Sequence, residues 1–319
     1  VKRFGGLWDQ LCSLENIEQA HLKARRGKRH YREVKMIDDD PERYYRMIQD
    51  LLVEKRFVNS PYVVMMKNDG MKDREIWKLP YFPDRIIHHC IVNVCEGIWL
   101  RGFIRDTYAS LPGRGVHDGV RRIRKALKDV KATQYCLKLD VRKFYQSVDH
   151  EALKVCLRRK IKDAEVLSLI DLIIDSAPGV PIGNYSSQYF ANVFLSDFDH
   201  WIKEQLGVRY YFRYCDDLVL LGPDKDDLHH LRVKISDRLA EMNLDLKRNW
   251  QVFPVDARGI DFLGYRFFHG YTLVRKSIVQ RFKKNLRRSE AKSIAAYNGW
   301  FVWADTYNLR SKYGWVYRK

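Results

Sequence analysis

The chain has 319 residues, 46% of them apolar, enough for one multi-lobed unit or two ordinary domains with a sizeable core. Its 58 Lys and Arg against 40 Asp and Glu leave a net charge of +18, which opposes compaction unless an anionic partner is met; nucleic acid is the leading candidate, ahead of an anionic membrane. No apolar run of about 18 residues occurs, so neither a membrane span nor, at Val1-Lys2-Arg3-Phe4, a secretory leader is expected, and six cysteines without a C-x-x-C pair read as reduced core thiols of a cytosolic chain rather than a disulfide frame or zinc site.

In chain order, apolar spacing predicts helices over 13–27 and 40–55. A basic run of Lys23, Arg25, Arg26, Lys28, Arg29, Arg32 and Lys35 overlaps the first of them. Tyr62–Met66 and Glu75–Leu79 read as the strands of a hairpin, with its turn at Asn68-Asp69-Gly70. Residues 84–103 read as a helix with Ile86, Ile87, Cys90, Ile91, Val94 and Ile98 on one face. A second basic run holds Arg121, Arg122, Arg124, Lys125, Lys128 and Lys131. Gln134–Asp140 is an apolar strand that ends in an acid, followed by a helix over about 150–160, a loop over 178–183 and a helix to about 205. Val208–Leu221 is a hairpin carrying Arg213-Tyr214-Cys215-Asp216-Asp217 at its turn. A helix over about 226–242 precedes strands within 259–268 and 271–274, read as another hairpin. The tail from 277 is helical, with Arg275, Lys276, Arg281, Lys283, Lys284, Arg287 and Arg288 as a third basic run. Any one run reads equally as a solvated face; three of them favour phosphate contacts. The pairs His88–His89 and His229–His230 read as ordinary helix residues. The element order is α+β, with an antiparallel sheet carrying acids at strand ends.

Two acids together in a strand context belong at a tight turn, since neighbours along a strand face opposite sides. Asp216 and Asp217 sit between Tyr210-Tyr211-Phe212 and Leu218-Val219-Leu220-Leu221, and carboxylates pressed against apolar strands call for a cation. Asp140 ends a second apolar strand that can lie beside them. Two-metal phosphoryl transfer needs such carboxylates to hold Mg²⁺ ions roughly 4 Å apart, and Mg²⁺ keeps waters and substrate phosphates, so a few acids suffice. The bland alternative is an Asp-Asp turn in solvent.

Leu137–His150 and Tyr214–Asp217 resemble the A and C motifs of reverse transcriptases. Pro181-Ile182-Gly183-Asn184-Tyr185-Ser186-Ser187-Gln188 resembles the B motif, and Leu244-Asp245-Leu246-Lys247 the lysine motif. Gly259–Tyr265 resembles the primer grip, and Gly113-Arg114-Gly115-Val116-His117 the glycine-arginine turn before motif A. That last piece lacks the third glycine of a dinucleotide-binding turn. The resemblance covers roughly residues 20–310. It implies a right-hand polymerase: fingers over 1–112 with 150–186 contributing, palm over 113–149 and 187–268, and a short helical thumb over 269–319. It also implies an RNA-directed DNA polymerase acting on template RNA, a primer or cDNA strand and dNTPs.

The resemblance further assigns roles. Asp140, Asp216 and Asp217 are the catalytic acids; with the Val141 carbonyl they hold two Mg²⁺ ions, Mn²⁺ being a substitute. Lys67 and Arg74 clamp the triphosphate, or are exposed hairpin charges. Tyr145 excludes the ribose 2′-hydroxyl, or is a core aromatic; Phe144 points into the core. Ile182, expected buried, and Gly183 lie against the nucleotide and templating base, or Ile182 only packs its loop. Asn184, Ser187 and Gln188 brace the loop or template. Lys247 protonates pyrophosphate, or is a surface lysine. Phe262, Leu263, Gly264 and Tyr265 form the primer grip. Trp300, Trp303, Tyr307, Tyr313 and Trp315 pack a thumb.

Within that family, Ile182 where a glutamine is usual, together with Ala24-Arg25-Arg26-Gly27-Lys28, resembles the enzymes of diversity-generating retroelements. Those copy a template RNA into adenine-mutagenised cDNA with a pentameric accessory variability determinant (Avd), and are bacterial, archaeal or phage-encoded. The alternatives are a retron- or group II intron-type enzyme, a non-catalytic RNA-binding scaffold, and an RNA-dependent RNA polymerase, which the bulk of Tyr145 disfavours.

Overall fold

The structure, a computed structural model, describes residues 2–68, 73–287 and 291–313. Asp69 and Gly70 of the expected turn, Arg288 and Trp315 lie outside them. The chain divides into two compact units, one of Val1–Ile104, Lys143–His200 and Glu241–Leu244, the other of Arg105–Arg142, Trp201–Ala240 and Asp245–Lys319.

The first unit is mostly helical, and several of its helices begin where a short polar side chain satisfies a free N–H group of the first turn. Ser13 accepts from the Asn16 N–H to start the helix Leu14–Ala24, and Asp40 caps Pro41–Val53 with proline at its first position. Asp163 caps Ala164–Ile174 and also accepts from the Leu7 N–H at 2.6 Å, which pins the N-terminal segment. At the centre lies Ile86–Leu100. The expected face is buried, and so are His88, His89, Val92, Cys95 and Trp99, so this helix is enclosed nearly all round rather than amphipathic. Burial and the nearby Arg85 push both imidazoles down to about 3, and His89 stacks on Tyr185 at 3.7 Å. The helices Arg32–Asp39 and Ala164–Ile174 add to the expected set. The hairpin of β1 (Val63–Asn68) and β2 (Asp73–Lys78) completes this unit.

The second unit is built on an antiparallel sheet ordered β4-β5-β3-β6: β3 is Tyr135–Asp140, β4 Tyr210–Tyr214, β5 Asp217–Gly222 and β6 Gln251–Pro254. Residues Leu218–Gly222 of β5 are buried on both faces, which explains their unbroken apolar run. The helix Lys225–Ala240 lies on β3, β5 and β6 and buries Leu228, Ile235 and Leu239. The C-terminal region corrects one expectation: 259–274 is not one hairpin but three strands, β7 (Ile260–Phe262), β8 (Tyr265–Phe267) and β9 (Thr272–Val274). Leu263 and Gly264 alone make the β7–β8 turn, both with positive φ (54° and 84°), the conformation that suits a two-residue hairpin loop. Phe282 and Phe301, from the helices Lys276–Arg287 and Ala291–Phe301, join Phe262, Tyr265 and Phe267 in one core.

Candidate active site

The acids expected to meet do meet, and all of them belong to the second unit. Asp140 and Asp217 are paired residues across β3 and β5. Tyr214 pairs with Asp217, leaving Cys215 and Asp216 as the loop, with Cys215 left-handed at φ 53°. The Val141 N–H donates to the Asp216 carbonyl at 3.0 Å, tying the turn to the end of β3. On the other side β4 is held by the 106–108 segment: the Arg213 N–H donates to the Asp106 carbonyl and the Tyr108 N–H to the Arg213 carbonyl. The Arg213 side chain is wholly buried and donates to the Cys215 carbonyl at 3.1 Å, so a guanidinium braces the turn from behind.

Two lysines face the acids. Lys138 lies two residues before Asp140, on the same side of β3. Its ammonium pairs with Asp217 and sits 4.9 Å from the centre of the Phe262 ring. Lys247 is docked by its backbone, its N–H donating to the Asp140 carbonyl at 2.8 Å, while the Arg142 N–H donates to the Asp245 carbonyl at 2.7 Å. Its ammonium rests against Asp140 Oδ1 as a charge contact, yet that buried oxygen accepts no hydrogen bond. Burial, then the charge of Asp140, pushes the Asp216 carboxyl up from its ordinary range. Burial pushes Asp217 up to about 6 against the opposing pull of Lys138.

This donor set fits a divalent metal. The donors are hard oxygens, one buried carboxylate oxygen accepts no hydrogen bond, and burial followed by the neighbouring Asp140 charge raises the Asp216 carboxyl. Among the described residues no three His, Cys, Asp or Glu side chains form a cage by themselves.

The residues expected around the incoming nucleotide, apart from Lys247, lie in the first unit. Phe144 is buried and Tyr145 half-buried, and the Tyr145 carbonyl accepts from the Val180 N–H at 2.6 Å. Ile182 is half-buried rather than buried: its carbonyl accepts from the Trp77 N–H at 2.8 Å, so the loop edges along β2 and leaves that side chain partly open. Gly183 has φ 135°, and a Cβ there would come within 2.3 Å of the Trp77 carbonyl oxygen; no other residue fits. Asn184 donates to the Tyr62 hydroxyl at 2.7 Å and Ser187 to the Pro181 carbonyl at 2.7 Å, bracing the loop, and Gln188 is half-buried in the helix Ser187–Phe194. Lys67 and Arg74 are paired residues across β1 and β2, both exposed.

Elsewhere the second unit qualifies the sequence reading. Phe262, Leu263 and Tyr265 are buried, so their side chains serve the core, and only their backbone is available to a primer. Gly264 is needed because a Cβ would strike the Trp300 ring at 2.4 Å. Several residues of the basic runs are spent on ion pairs, in both units: Arg25 with Asp38, Arg121 with Asp118, Arg122 with Asp106 and Arg275 with Asp261. Trp300 lies tilted against Tyr265 and Trp303 stacks on His117, whereas Tyr307 is exposed. Lys138 and Arg213 were not expected at the site. For Lys138 the signal was its parity with Asp140; for Arg213 it was a single charge inside an apolar strand.

Comparison with known proteins agrees with this geometry. The family described as "Reverse transcriptase (RNA-dependent DNA polymerase)" matches residues 67–267. The chain is similar to protein YkfC of Escherichia coli, 27% identical over 140 residues, 40% of this chain and 37% of that one. It is similar to the group II intron-encoded protein LtrA of Lactococcus lactis, 22% identical over 175 residues, 51% of this chain and 28% of that one. The match thus spans well under half the length of either curated relative. In fold it is similar to apo telomerase from Candida tropicalis, with a TM-score of 0.52 at 14% identity, over 66% of this chain and 48% of that one. Among the described residues no helix is long and apolar enough to cross a membrane.

Proposed function

Because the chain belongs to the reverse transcriptase family, we propose that it copies RNA into DNA by nucleotidyl transfer at Asp140 and Asp216. The observation that carries this is the meeting of these two carboxylates at one end of a buried sheet, where burial and the charge of Asp140 raise the Asp216 carboxyl, an imbalance that a divalent cation would relieve. Asp140 and Asp216 would hold the metal with the Val141 carbonyl. Mg²⁺, or Mn²⁺ in its place, supplies charge neutralisation at the 3′-hydroxyl and at the leaving pyrophosphate when bound. The chain's own part is positional. The Val141–Asp216 backbone bond and the Arg213–Cys215 bond fix the turn, and Lys247, docked on Asp140, stands ready to give a proton to the departing pyrophosphate. Lys67 and Arg74 would grip the triphosphate, Tyr145 would read the sugar, and Ile182 with Gly183 the base pair. Lobe roles follow the sequence reading: fingers over 1–112 and 150–186, palm over 113–149 and 187–268, thumb from 269.

The finer reading is an enzyme of a diversity-generating retroelement, acting in the cytoplasm on a template RNA with an Avd pentamer. Its support is Ile182, a half-open apolar side chain where a glutamine would hydrogen-bond; sites that hydrogen-bond discriminate far better than apolar ones. Similarity to a group II intron-encoded protein supports a second reading, an intron-type enzyme. Primer extension on RNA with all four dNTPs, with and without Avd, followed by sequencing of the cDNA separates them. Errors concentrated opposite template adenines, and reduced in Ile182→Gln, are the expected result. Faithful copying would assign the chain to the intron or retron side, and RNA binding without synthesis to a scaffold.

A further inference from the structure

We propose that Lys138 is a positioning residue that withdraws Asp217 from the metal site, so that Asp140 and Asp216 alone supply its carboxylates. The inference rests on the metal-site reading above. Strand geometry places Lys138, Asp140 and Asp217 on one side of the β3–β5 pair. Without a cation between them, Asp140 and Asp217 would oppose like charges at directly paired positions. Lys138 resolves that conflict locally. Its ammonium is bound on one side by the Asp217 carboxylate and lies over the buried Phe262 ring on the other, so it is held by two rigid elements rather than swinging in solvent. Asp217 is thereby paired within the protein, and its net contribution to the charge felt by a metal at Asp140 and Asp216 is cancelled. Phe262 closes the chain of contacts: it faces Tyr265 across the Leu263-Gly264 turn, so the same lysine couples the catalytic hairpin to that turn.

The test is Mn²⁺ binding to the full chain without nucleic acid, read from the electron paramagnetic resonance signal of free Mn²⁺. Removing the lysine alone, in Lys138→Met, releases Asp217 and should tighten Mn²⁺ about fivefold or more, while Asp217→Asn leaves the lysine uncompensated and should weaken it about fivefold. The deciding variant is the double, Lys138→Met with Asp217→Asn, which deletes the pair together; it should return within about threefold of wild type. Lys138→Arg, which keeps the charge, should bind as wild type does. A double variant weakened tenfold or more, to the level of Asp216→Asn, would make Asp217 a ligand and overturn the proposal. If the single variants fail to fold, the double, which buries no unpaired charge, decides alone. A wild type that binds no more Mn²⁺ than Asp216→Asn would overturn the metal-site reading and this inference with it.

Discussion

Two hairpins carry the charges that matter, and they are built in opposite ways. In β1–β2 every residue of β1 is exposed, and two of the hairpin's bases, Lys67 and Arg74, are paired across the strands at exposed positions. In β4–β5 the strands are buried, the acids sit at the turn, and the one arginine is enclosed at 0% exposure behind them. The same local motif therefore yields two electrostatic devices. Exposed charges are screened and cost the fold little, so they can wait for a ligand. Buried ones perturb each other, must be compensated within the protein, and fix a geometry.

The comparison can be broken in several ways. Asp140→Asn removes a half-buried carboxylate whose charge acts on Asp216, and nucleotide addition should fall by about 10³-fold or more with the melting temperature unchanged or raised, as single-turnover kinetics beside thermal melts would show. Exchanging the same chemistry between hairpins sharpens the contrast. Arg213→Met should cost about 3 kcal/mol in urea unfolding, because buried acceptors including the Cys215 carbonyl lose their donor, whereas Arg74→Met should cost less than about 0.5 kcal/mol. Equal costs would mean that Arg213 braces nothing. In turn, Arg74→Met and Lys67→Met should each raise KM for dNTP about tenfold, which steady-state kinetics resolve.

The smallest effect is one of pH. Asp217 is raised from 3.8 to about 6 and Asp216 is raised as well, so between these values the folded chain binds more protons than the unfolded one. Stability from these groups is therefore lost as pH rises from 3.8 towards 6. With divalent ions chelated, the wild type should melt progressively below an Asp216→Asn, Asp217→Asn double variant over that window, with the gap constant above it. Melting curves in chelator that run parallel across the window would remove the claim that the acids are under-compensated.

The acids were legible because they end or join apolar strand runs, and the hairpins at 63–78 and 210–222 were read from such runs on either side of a turn. What escaped was decided by partners distant in sequence. Gln251–Pro254 is too short to read as a strand, and only β3 beside it makes it one. Arg213 reads as an exposed charge in any local window; its burial comes from the 106–108 segment packed along β4. Parity put Lys138 beside Asp140, yet nothing local says that its ammonium would be shared between Asp217 and Phe262. The helix Ile86–Leu100 was found by its apolar face, while its second buried face carries His88 and His89, which read in sequence only as ordinary helix residues.

The central claim, that Asp140 and Asp216 make a metal-dependent centre for adding deoxynucleotides to a primer on RNA, is tested most directly by one assay: extension of a DNA primer on an RNA template in Mg²⁺, wild type beside Asp216→Asn at equal folded concentration. Synthesis by the wild type that is abolished by chelator and by the substitution is the predicted result. Equal extension by the two proteins, or none by either while RNA is bound normally, would contradict it.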